Sequence, residues 1–130
     1  MSAPNYAFGK TVDAPYAEVV QRTRDALQGE GFGIITEIDV LATMKEKLGR
    51  EVAPYVILGA CNPEYAHRVL ETEPDLGLLL PCNVIVYETG EGIRVSAVDP
   101  EAMLNLAGNG ELAGIAAEVK ARLQRAMERV

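Results

Sequence analysis

The chain has no tryptophan, two phenylalanines, two cysteines and one histidine among its 130 residues. Two cysteines in a chain of this length do not form a disulfide framework, so a small secreted scaffold is excluded and a reducing compartment becomes the default. A single histidine leaves no room for a poly-histidine metal centre. Basic excess is also missing: 19 acidic residues outnumber 12 Lys and Arg, for a formal net charge of -7. Phosphate backbones and anionic lipid surfaces attract basic patches, so neither nucleic acid nor a membrane surface is an expected partner. Lys45 and Lys47 lie close together, but Glu46 separates them and no aromatic platform accompanies them.

Long apolar runs are lacking as well, and none reaches the length of a membrane span. The opening Met1-Ser2-Ala3-Pro4-Asn5 has neither a basic region nor an apolar one, so no secretory signal is expected and the cytoplasm is the anticipated location. What is present resembles an ordinary globular protein, 48% hydrophobic and 24% charged. At 130 residues it is large enough for one core and is read as one domain, 1–130.

Punctuation along the chain predicts alternating strands and helices. A first strand over Tyr6–Val12 is followed by a helix capped by Asp13, with Pro15 in its first turn. That helix ends at Gly29 and Gly31. Phe32, Ile34, Thr36 and Ile38 alternate as one face of a second strand. Asp39 caps a short helix closed by Gly49, and Tyr55–Ala60 reads as a compact apolar strand. Asn62-Pro63 opens a further helix that Pro74-Asp75 breaks; Leu76–Leu80 fits either a buried loop or an extended segment. Cys82–Glu88 and Ile93–Val98 flank Thr89-Gly90-Glu91-Gly92 as a hairpin. Asp99 caps a short helix from Pro100. From about Glu111 a last helix carries an apolar stripe of Leu112, Ile115, Ala116, Val119, Leu123, Ala126 and Val130. Its basic residues gather toward the C-terminal end, where the helix dipole favours them. The fold class expected is α+β, a two-layer domain with a mainly antiparallel sheet packed by helices. A doubly wound parallel sheet has no support, because Gly29-Glu30-Gly31-Phe32-Gly33 precedes a strand instead of joining a strand to a helix.

The residues that bear on chemistry concentrate in two stretches, Tyr55 to His67 and Leu78 to Val84. Cys61 lies just before the start of a helix, where partial positive charge favours a thiolate, the reactive form of cysteine. Cys82 begins the strand after Pro81. If that strand runs antiparallel beside Tyr55–Ala60, both thiols lie at one end of the sheet. The competing reading of each cysteine is a buried apolar residue. His67, six positions after Cys61, could orient a thiolate or shuttle a proton; a lone helical histidine is more often solvated. The closely spaced Cys/His pairs of zinc sites are missing, and no metal is expected. Asn62 has a sufficient explanation as a cap. Asn83, inside an apolar strand, must find hydrogen-bond partners if buried; it is read either as facing a sheet edge or satisfying an adjacent loop, or as a ligand-orienting amide. Glu37 and Asp39 are two residues apart on one strand and could pair as acid and base, against the simpler reading of a solvated residue and a cap. Ser2 and Ser96 have no nucleophile elbow around them, and no hydrolase motif is present. The candidate ligand or thiol site is therefore Cys61, Asn62, His67, Cys82, Asn83 and Glu37, with no catalytic residue assigned and the cofactor left open.

Over most of its length the sequence resembles the domain-of-unknown-function 302 family. The resemblance lies in Gly31-Phe32-Gly33, Thr36-Glu37-Ile38-Asp39-Val40, Thr43-Met44-Lys45-Glu46-Lys47-Leu48-Gly49, Tyr55 to His67, Gly77 to Val84 and Val95-Ser96-Ala97-Val98-Asp99-Pro100. It implies a compact α+β domain and a homodimer, and it brings no settled activity or catalytic residue. The function expected is a small cytoplasmic binding or stress-related module that takes a small-molecule ligand. A thiol-dependent redox or sulfur-handling enzyme is the alternative, with a structural homodimer third.

Overall fold

A computed structural model describes residues 4–130. Its centre is a five-stranded, wholly antiparallel sheet in the order β1-β5-β4-β3-β2, formed by β1 (Ala7–Val12), β2 (Gly33–Asp39), β3 (Tyr55–Cys61), β4 (Cys82–Thr89) and β5 (Gly92–Val98). The helices are α1 (Tyr16–Gly29), α2 (Val40–Leu48), α3 (Pro63–Thr72), α4 (Pro100–Leu104) and α5 (Ala113–Arg129). The expected α+β class is the observed one.

Strict alternation in the three central strands builds the core. Val56, Leu58 and Ala60 of β3, Cys82, Val84 and Val86 of β4, and Ile93, Val95 and Ala97 of β5 are all buried on one face. Against them pack Val19 and Leu27 of α1 and the α5 stripe of Ile115, Ala116, Val119, Leu123 and Ala126. Burying nine such strand positions at about 1.5–3 kcal/mol for each large aliphatic side chain makes this layer the main source of cohesion.

Local signals in the sequence account for most element ends. Asp39 accepts a hydrogen bond from the Ala42 amide at 2.9 Å, and Gly49 closes α2 in the left-handed region at φ 64°. Asp99 caps α4 through the Glu101 amide at 2.9 Å. The hairpin is tighter than expected: Thr89 pairs with Gly92, so only Gly90 and Glu91 lie in the turn. Pro74–Leu79 winds as a 3-10 helix, which resolves the segment that the sequence left open.

Three expectations are corrected. Asp13 caps nothing; Pro15 occupies the position before α1, with no side-chain cap bond. Asn62 stands at the cap position of α3 but likewise donates and accepts no cap bond through its side chain. In β2 the register shifts between Ile34 and Thr36, so Phe32, Ile34, Thr36 and Ile38 do not share a face. Ile34 lies opposite Ala60 on the helix side, whereas Thr36 and Ile38 lie opposite Gly59 and Ile57 on the other side. An extra residue in one strand of a pair reverses the facing of everything beyond it.

Candidate functional site

Antiparallel pairing of β3 with β4 sets Ala60 opposite Cys82, with Cys61 one residue further along β3. The two thiols therefore belong to the same end of the sheet. Alternation directs Cys82 toward the helices with Ala60, and Cys61 ends β3 beside the entry to α3. Both border an apolar cavity of about 30 Å³, closed by Phe32, Tyr65 and Val69 on one side and Leu80, Met103 and Leu104 on the other. That volume admits a water-sized group and is far below the roughly 300–1,000 Å³ of ordinary small-molecule sites.

Neither thiol is activated. Burial pushes Cys61 above its ordinary 9.0. Cys82, 7% exposed, is pushed up to about 11, first by burial and then by the neighbouring Cys61. This direction runs against the acidic thiol that the helix-entry position of Cys61 suggests. Both cysteines are free.

The other candidates are distributed around this point, not gathered at it. Asn62 borders the cavity, and its amide nitrogen sits where a Cβ on Gly31 would come within 3.0 Å. His67 points outward from α3, 73% exposed, with Nε2 3.2 Å from Glu71. Asn83 is exposed on the sheet face opposite to Cys82, as its position next to Cys82 in an extended strand requires. Glu37 lies opposite Leu58 on the helix side and pairs with Arg24 of α1. Asp39, its supposed partner in acid–base work, is occupied as a cap. Among the described residues no three His, Cys, Asp or Glu side chains gather as a metal set.

Two residues that sequence reasoning passed over stand out. Glu30, 6% exposed, holds Arg125 at 3.0 Å and Arg129 at 2.7 Å, while Arg122 donates to its backbone oxygen and to the Tyr65 hydroxyl, both at 3.1 Å. Arg122 thereby ties one wall of the cavity to α5. Arg94 is also only 6% exposed, on the face of the sheet away from the helices. Its signal was available in the sequence: it alternates with Ile93 and Val95, so it had to face away from them.

The match to the family model described as domain of unknown function DUF302 extends over residues 8–130. The chain belongs to the DUF302 family. The crystal structure of an uncharacterized conserved DUF302 protein from Bacillus stearothermophilus superposes with a TM-score of 0.89 at 29% identity, covering 97% of this chain and 98% of that one. An uncharacterized protein of Aquifex aeolicus (strain VF5) is 27% identical over 78 residues, 60% of this chain and 48% of that protein. The chain thus spans about half the length of that curated relative. Membership in DUF302 accounts for the architecture; the chemistry has to be argued from the residues. Among the described residues no helix is long and apolar enough to cross a membrane.

Proposed function

We propose that this DUF302 chain is a small-molecule binding module that uses the cavity beside Cys61 and Cys82 as an apolar ligand recess. The observation that carries the reading is a protonated, buried thiol facing a space with almost no polar lining. A thiol held at about 11 is a soft apolar wall at neutral pH, not a nucleophile. Met103 and Leu80 form the movable side of the recess, and an unbranched thioether side chain changes rotamer at low cost to admit a larger group. Free, neutral cysteines suit a reducing cytoplasm, and a stress-related role belongs to the same proposal. Self-association is assigned to the β2 edge of the sheet, where Ile35 and Ile38 of β2, with Leu48 and Val52 further along the chain, are exposed. An edge strand with exposed apolar residues is a natural place for a second copy to dock.

Xenon and native ligand together test the recess. Under xenon pressure the Met103 methyl resonance should shift, and the Ala66→Leu variant, which fills the space, should abolish that shift. Native mass spectrometry of protein from its own host should show an adduct lost in Ala66→Leu and retained in His67→Ala. A silent Met103 methyl together with no adduct would sink the reading.

A further inference from the structure

The sheet face away from the helices carries a groove that the cysteine cavity does not share. Strand pairing places Gly9 and Thr11 of β1, Arg94 and Ser96 of β5, and Asn83, Ile85 and Tyr87 of β4 on this face. Not one strand residue on the face is Asp or Glu. Among the described strand residues of this face Arg94 is the one cation, in a protein whose net charge is -7.

Three polar residues are buried among those described, and two have evident partners. Thr23 donates to the Val19 carbonyl at 2.7 Å, and Glu30 is held by Arg125 and Arg129. Arg94 makes no side-chain hydrogen bond or ion pair with any described residue. Arg94 is among the residues that line the groove. A guanidinium is always charged and carries five donors in a planar fork. Enclosing it without an acceptor costs free energy that an arriving anion recovers.

The groove encloses about 380 Å³, within the range of small-molecule sites. Tyr6, Ile85 and Tyr87 give it apolar walls, Ser96 places a hydroxyl two residues from Arg94 on β5, and Asn83 lines the groove four residues along β4 from Tyr87, the residue opposite Arg94. On β1, Gly9 lies opposite Ser96 of β5. A Cβ there would meet the Val95 carbonyl oxygen at 2.1 Å, so only glycine lets β1 lie this close over β5.

We propose that this groove binds a small organic monocarboxylate with an aromatic or apolar body, its carboxylate taken by the Arg94 fork and its body held between Tyr6, Ile85 and Tyr87. One guanidinium balances one negative charge, and the two parallel N–H donors match a carboxylate. A phosphate dianion would leave one charge uncompensated inside an acidic protein. The Ser96 hydroxyl, two residues along β5 and on the same face, supplies a donor for a carboxylate lone pair that Arg94 leaves free.

Phenylacetate is the probe, with phenylacetamide as its neutral counterpart. Titrated into ¹⁵N-labelled protein, phenylacetate should give saturable shifts at the Arg94 Nε–H and at the Ile85 and Ser96 amides. Phenylacetamide and the Arg94→Met variant should each weaken binding by about tenfold to a hundredfold, the range for hydrogen bonds to a charged group. Ser96→Ala, which removes one hydroxyl beside Arg94, should weaken it several-fold and serves as the test if Arg94→Met does not fold. Absence of shifts on this face would overturn the proposal, as would equal binding of the amide or unchanged binding in both variants. Sedimentation gives the last arm: a dimer that dissociates in Arg94→Met would mean that a carboxylate of a second copy, not a free acid, occupies the groove.

Discussion

Glu30 Oε2 lies 2.7 Å from Nη2 of Arg129, ninety-nine residues away along the chain. The pair joins the end of α1 to the end of α5, and Arg125 completes it at 3.0 Å. Glu30 is buried whereas both arginines are about half exposed, so the carboxylate is the partner that depends on the contact. Glu30→Gln should lower the unfolding free energy by about 1–3 kcal/mol, the cost of a lost charged hydrogen-bond pair at a partly exposed site. Arg125→Met or Arg129→Met alone should cost less, about 0.2–1 kcal/mol, because each guanidinium is hydrated. Urea unfolding curves of the three variants check the order; an arginine variant costing more than Glu30→Gln would contradict it.

Thiol reactivity should follow burial. Both cysteines should alkylate with iodoacetamide more slowly than a free thiol at neutral pH, and Cys82 more slowly than Cys61. Peptide mass mapping after timed quenching distinguishes the two. A Cys61 faster than a free thiol would restore the thiolate reading that its burial argues against.

Stability should decline in alkali. Cys82 holds its proton to about 11 in the folded protein against an ordinary 9.0, so the unfolded chain loses a proton first as pH rises. The contribution is complete below pH 9 and is lost as pH rises through about 11. It amounts to about 3 kcal/mol at most, taking 1.36 kcal/mol for each tenfold change. Cys61 and Tyr16 are raised as well, chiefly by burial, and act in the same direction. Thermal midpoints of wild type and Cys82→Ala between pH 8 and 11.5 should converge as pH increases; parallel curves would rule Cys82 out as the source.

Gly59 should not tolerate a side chain. An added Cβ would stand 2.0 Å from Thr36 Oγ1 and 2.9 Å from Pro81 Cγ. Gly59→Ala should destabilise the protein by about 1–3 kcal/mol, as overpacking does. Thr36→Ala in the same chain should recover part of the loss, since it removes the nearer atom. Denaturant midpoints of the single and double variants provide the comparison, and no recovery would place the strain elsewhere.

The β2 edge offers a test of self-association. Ile38 is 48% exposed and faces away from the helices, so Ile38→Lys should leave folding intact and reduce any dimer seen by analytical ultracentrifugation. An unaltered dimer would move the interface off this edge.

Much of the architecture is decided locally and is legible in the sequence. Asp39, Gly49 and Asp99 act through bonds to neighbours within a few residues, and they mark the ends of α2 and the start of α4. The apolar stripe of α5 needs only helical periodicity. Antiparallel pairing of two apolar strands was enough to bring Cys61 and Cys82 to one end of the sheet.

Facing and partnership are decided by the tertiary structure. One shifted residue between Ile34 and Thr36 turns Glu37 toward Arg24 and leaves Ile38 on the opposite side, and no local pattern announces such a shift. The strand position of Asn83 sets it against Cys82, but only the layering of helices on one side makes that separation a change of site. Glu30 and Arg94 looked alike in the sequence, a charge at a helix end and a charge in a strand. Each is buried, yet Glu30 meets two arginines that α5 delivers from the far end of the chain, and Arg94 lines a groove on the opposite face of the sheet. Periodicity determines which way a side chain points; what lies there depends on elements distant in sequence.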